Sequence, residues 1–140
     1  MKKVFISYKH DDDRYVNDVR SIRSNSNHPL SFNDRSLEEA ILNEYGDINR
    51  RSPADAASLP VQDKIQLLLQ DSDKLVVLIG DNTHSSLWVQ WEMDTFRKFR
   101  GERNILMMRL PYSNGGVPSG YNSHDIRSWS LQYLSDWINT

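Results

Sequence analysis

The stretch KLVVLIG, Lys74 to Gly80, constrains the fold more than any other part of the chain. It is a continuous apolar run, rich in branched side chains, with no polar residue alternating into it. A run of this kind marks a strand covered on both faces, and such strands belong to parallel sheets sandwiched between helices. NILMMRL, Asn104 to Leu110, reads the same way. Val4–Tyr8 is a short apolar strand, and Pro29–Phe32 a shorter one. Helical periodicity fills the intervals. Asp12 to Ser24 sets Tyr15, Val16, Val19 and Ile22 on one stripe. The segment from Ser36 opens with a capping box, Ser36 and Glu39, and stops at Gly46. Val61–Gln70 turns Ile65, Leu68 and Leu69 inward, Ser86–Arg100 is the clearest helix, and Trp129–Ile138 closes the chain. Strands alternating with helices predict an α/β sandwich with a mostly parallel sheet.

The rest of the composition narrows the chemistry. At 140 residues and 38% apolar, the chain suits one domain with one core, residues 1–140. A net charge of −2 offers no basic field for nucleic acid. With no cysteine there is no disulfide scaffold, thiol nucleophile or cysteine metal site. His10, His28, His84 and His124 never fall at i, i+4 spacing, so no zinc site is expected. The apolar run in MKKVFISY is too short for a signal peptide, and nothing approaches the roughly 20 apolar residues that span a bilayer. The expectation is a cytoplasmic protein. Asp47–Ser58 and Pro111–Asp125 read as surface loops, the second rich in Gly, Pro, Ser and Asn without a phosphate-loop pattern.

Two places concentrate reactive side chains. In the helix from Ser86, Trp88, Val89, Phe96 and Phe99 form the apolar face, while Gln90, Asp94, Arg97, Lys98 and Arg100 form the polar one. Glu92 breaks the pattern. It lies one turn from both Trp88 and Phe96, in the middle of the apolar face. An acid there is costly unless it is ion-paired or borders a cleft, so a structural salt bridge and a functional carboxylate are both open. The second place is SYKHDDD, Ser7 to Asp13, where the first strand hands over to the first helix. Ligands of parallel sheets bind at that edge. The aspartates suit the helix N-terminus, and Ser7, Tyr8, Lys9 and His10 precede it where a phosphate-bearing ligand would be favoured.

KVFISYKHDDDR, FNDRSLEEAI and KLVVLIGDNTHSSLWVQWEM, taken together and in this order, resemble TIR domains of the bacterial TIR-like group. The first is similar to the opening strand and loop, the second to the second strand and its loop. The third is similar to the fourth strand and the Trp-Val-x-x-Glu helix after it, with NILMMRL as the fifth strand. The resemblance spans Lys3 to Met93 most specifically. It implies a flavodoxin-like α/β fold with a mostly parallel sheet of about five strands and helices on both faces. Among TIR-like proteins the chain is similar to the small stand-alone members of Thoeris anti-phage systems.

That resemblance implies an enzyme that cleaves the nicotinamide–ribose bond of NAD+, taken as substrate and not as cofactor, and releases an ADP-ribose-derived signal that activates a separate effector. Glu92 maps onto the catalytic glutamate. Phe5, Ser7 and Tyr8 map onto the pocket lining, with Lys9 or His10 near the diphosphate, Asp34 and Ser36 on the opposite lip, and Trp88 on the nicotinamide side. Self-association and activation by a phage-derived protein are the partner expectations, with no nucleic acid, membrane or metal. The same resemblance leaves open a non-catalytic module that assembles through TIR–TIR contacts. A receiver-like phosphoacceptor fits poorly, because Asp81 comes one residue late and Arg109 stands where a lysine is needed. A serine hydrolase lacks its G-x-S-x-G.

Overall fold

A computed structural model describes residues 2–8, 30–34, 53, 59–111, 113–121, 126–138 and 140. Among the described residues five strands form one sheet: β1 Lys2–Ser7, β2 Leu30–Asp34, β3 Lys74–Ile79, β4 Ile105–Arg109 and β5 Ile126–Arg127. Among the described residues three α-helices accompany them, α1 Leu59–Gln70, α2 Leu87–Arg100 and α3 Leu131–Ile138. The strand order is β2-β1-β3-β4-β5 and every neighbouring pair is parallel. This is the flavodoxin-like order, with its switch point between β1 and β3. The run expected as fourth strand is third among the described strands, and the run expected as fifth is fourth. The helices expected at 12–24 and 36–46 lie outside the described residues, as does the 47–58 loop apart from Pro53.

The apolar run of β3 resolves into two interleaved faces. Leu75, Val77 and Ile79 join Phe5, Met107 and the inner sides of α1 and α2 in one core. Val76 and Leu78 join Val4, Ile6, Tyr8, Leu106, Met108 and α3 in the other. All six residues of β3 are buried, which is why the sequence shows no alternation there. On α1 the buried residues are Val61, Ile65 and Leu69, while Leu68 is only partly covered. Pro60 sits in its first turn, where no intrahelical N–H is needed.

The two ends of the sheet are tied differently. At the amino edge, the Lys3 amide donates to Asp73 Oδ2 at 2.9 Å and the Asp73 amide to the Lys3 carbonyl at 2.7 Å. Lys74 is 5% exposed. Its Nζ donates to the Trp137 carbonyl and to Thr140 Oγ1 (2.7 Å) and lies 4.5 Å from the Trp137 ring centroid. A cation beside the last carbonyls of α3 suits the negative end of that helix. At the carboxyl edge the ties are the turn after β3 and the contacts of the segment from Ser113.

Candidate active site

The turn from β3 into α2 sets the direction of the helix. The Gly80 amide donates to Thr83 Oγ1 at 2.8 Å, and the Thr83 hydroxyl donates to the Leu78 carbonyl at 3.3 Å. The Ser86 amide then donates to the Thr83 carbonyl at 3.0 Å. Ser86 caps α2, its Oγ accepting from the Val89 amide at 3.3 Å. Trp88, Val89, Glu92, Met93 and Phe96 are the buried residues of α2. Phe99, expected on this face, is 42% exposed. In the last turn the arc toward α1 is taken by Arg100, whose Nη2 donates to the Gln70 carbonyl at 3.2 Å.

Glu92 is 0% exposed, and so is Ser7. The Ser7 hydroxyl donates to Glu92 Oε1 at 2.7 Å. Two residues 85 apart in sequence thus meet at the carboxyl end of β1, beside the switch point. Strand alternation explains the meeting. Phe5 and Ser7 point to the α2 face of the sheet, and Val4, Ile6 and Tyr8 to the α3 face. The arrangement holds a carboxylate in a water-poor wall with one oxygen oriented by a short hydroxyl bond, which is suited to stabilising positive charge on a bound group.

The other expected residues divide into four groups. Phe5 and Trp88 stand in the same core as Glu92's helix, and Trp88 packs edge-on against Trp91 with centroids 5.7 Å apart. Tyr8 is 1% exposed but belongs to the core on the opposite face, so its ring does not share a wall with Glu92. Asp34 ends β2 opposite Ile6 in the register, at the same edge of the sheet. Lys9, His10 and Ser36 lie outside the described residues. Among the described residues no cluster of three or more His, Cys, Asp and Glu could hold a metal ion, and no helix is long and apolar enough to cross a membrane.

The segment from Ser113 to Tyr121, read from its composition as a surface loop, is fastened along its length to the β3–α2 unit. The Asn114 amide donates to Asp81 Oδ1 at 2.9 Å. Gly115 crosses so close to Gly80 that a Cβ on it would stand 1.9 Å from the Gly80 carbonyl oxygen. Gln90 Nε2 donates to the Ser119 carbonyl at 2.8 Å. Tyr121, fully buried, donates its hydroxyl to Asp94 Oδ1 at 3.0 Å, and Arg97 lies 5.0 Å from the centre of its ring. Burial, and next the Asp94 carboxylate, push the Tyr121 phenol above its ordinary value. Gln90, Asp94 and Arg97 lie on the flank of α2 away from Glu92. The strap therefore holds the helix from the β4 side while Glu92 meets β1 on the other.

A family model described as the TIR-like domain of the Thoeris protein ThsB matches residues 5–115. No curated protein matches the chain. A prokaryotic SEFIR domain solved by crystallography is similar in structure, with a TM-score of 0.65 and 14% identity over 99% of this chain and 92% of that one. At that identity the likeness speaks to the fold. The matched segment takes in the carboxyl end of β1, all of α2 with Glu92 and the start of the strap, and the chain belongs to the TIR-like domain family of the Thoeris protein ThsB.

Proposed function

We propose that this protein cleaves the nicotinamide–ribose bond of NAD+ and so makes an ADP-ribose-derived messenger for a separate effector in anti-phage defence. The observation that carries this reading is the buried pair of Ser7 and Glu92, 2.7 Å apart at the carboxyl end of the central strands. The chemistry asks for little else. When the ribose C1′–N bond breaks, its electron pair leaves with the ring, and nicotinamide departs neutral without a general acid. Positive, oxocarbenium-like charge develops on the ribose. Glu92 stabilises that charge and holds the ribose hydroxyls, and Ser7 fixes the carboxylate for the task. The product depends on the nucleophile that then reaches C1′: water gives ADP-ribose and a proton, and a group of the same nucleotide gives a cyclic isomer.

The test is product chromatography with mass detection after NAD+ is incubated with wild-type protein or Glu92→Gln, both purified and in extracts of phage-challenged cells. Turnover by the wild type alone supports the reading, and the product mass names the reaction. Turnover by neither preparation, with or without challenge, contradicts it.

A second reading is a non-catalytic assembly module. Leu59 and Leu67 on α1 and Leu87 on α2 are 57%, 65% and 60% exposed, and the two helices are neighbours in one core. It predicts concentration-dependent oligomers in sedimentation that ignore nucleotide, and a melting temperature raised by NAD+ would contradict it.

A further inference from the structure

Arg109 ends β4 and pairs with Ile79 in the register. Leu106 and Met108 face the α3 side and Met107 the α2 side, so alternation puts Arg109 on the α2 side, the face of Ser7 and Glu92. Its Nη2 donates to the Gly115 carbonyl at 3.1 Å. Its Nε is buried and has no acceptor among the described residues. No carboxylate pairs with it among the described residues, whereas Arg97 is paired with Asp94 and Glu102, and Lys3 with Asp71. Asp81, two residues past Ile79, is turned to the Asn114 amide. A half-buried guanidinium without counter-charge is costly by itself, while a phosphate fits its planar fork and accepts from Nε and Nη together.

The register gives its place relative to the buried pair. Ser7 stands beside Val77, Val77 beside Met107, and Arg109 two residues further toward the carboxyl edge. That is about 10 Å across the sheet and about 7 Å along it, at the edge where such sheets bind nucleotides. We propose that Arg109 is a phosphate-recognising residue of the cleft and takes the diphosphate of the nucleotide whose ribose meets Glu92. The occupant rests on the proposed NAD+ reading; the unmatched cation does not.

Calorimetric titration of the full chain with inorganic pyrophosphate, with ADP-ribose and with phosphate-free nicotinamide riboside tests this, comparing wild type and Arg109→Gln. The wild type is expected to bind pyrophosphate and ADP-ribose, and Arg109→Gln to lose about tenfold or more for both, the scale of a lost charge-assisted hydrogen bond, with riboside binding the same in both. If Arg109→Gln does not fold, as judged by circular dichroism, Arg109→Lys replaces it and is expected to lose about fivefold, since the fork is gone and the charge kept. Equal pyrophosphate affinity in the folded variant, or no pyrophosphate binding by the wild type, overturns the proposal. The two readings separate cleanly. NAD+ turnover with an unchanged KM in Arg109→Gln sinks only the role of Arg109. Arginine-dependent pyrophosphate binding without turnover sinks only the enzymatic reading.

Discussion

At the scale of single residues, the candidate site centres on one hydroxyl and one carboxylate. Ser7 and Glu92 are both fully buried, and the Ser7 hydroxyl orients Glu92 Oε1. Removing the donor leaves that oxygen without its 2.7 Å partner inside the wall. Ser7→Ala is therefore expected to lower stability by about 1–3 kcal/mol, read as a lower urea midpoint with an unchanged slope. The acid was legible in the sequence because charge on an apolar stripe violates the helical pattern. Its partner was legible only as part of a polar cluster after the first strand. The pairing was not, since it depends on which way each β1 side chain points, and a one-residue shift would have offered Ile6 or Tyr8 instead. Tyr8 illustrates this: it adjoins Ser7 in the chain and packs on the opposite side of the sheet.

At the scale of elements, the strap from Ser113 to Tyr121 decides where α2 lies. Its composition says loop, and periodicity is silent about what a loop touches. The signal available was a lone aromatic, Tyr121, in a run of small and polar residues. Tyr121→Phe keeps the buried ring and removes the bond to Asp94, with an expected loss of about 1 kcal/mol by denaturant unfolding. The pH dependence has a definite sign. Folding holds the Tyr121 phenol above its ordinary value, so its contribution is complete below about pH 10 and falls as pH rises past it, where the unfolded chain ionises freely. Tyr121→Phe should flatten this part of the stability profile; an unchanged alkaline slope would contradict it. Gly115→Ala drives a methyl group into the Gly80 carbonyl, with an expected cost of about 1–3 kcal/mol. The helix wheel misplaced Phe99 for a related reason: it gives the direction of a side chain and not where the core ends, and the last turn of α2 packs Arg100 against Gln70. β5, two residues long, is too short for any period to show.

At the scale of the whole molecule, the sheet separates two cores, one under α1 and α2 and one under α3. The doubled burial of β3 was the plainest statement in the sequence, because a strand with helices on both sides must be apolar throughout. The parallel pairing of neighbouring strands follows from the same alternation of strands and helices. Ile65→Ala on α1 and Leu134→Ala on α3 empty volume in different cores. Each is expected to cost about 2–5 kcal/mol, and the pair should add to within about 0.5 kcal/mol because the sheet keeps them from sharing partners. Coupling larger than about 1 kcal/mol, measured by a double-mutant cycle, would show that the two cores act as one.

A strap and a capped turn fix α2, and α2 presents Glu92 to Ser7 at the sheet's carboxyl edge, the place we propose for cleavage of NAD+. The most direct measurement is the rate of nicotinamide release from NAD+, followed side by side in wild type, Ser7→Ala and Glu92→Gln under the conditions in which the wild type is active. No release above background is expected with Glu92→Gln, and a rate reduced about tenfold with Ser7→Ala, the scale of one charge-assisted hydrogen bond. Release by folded Glu92→Gln at the wild-type rate would contradict it.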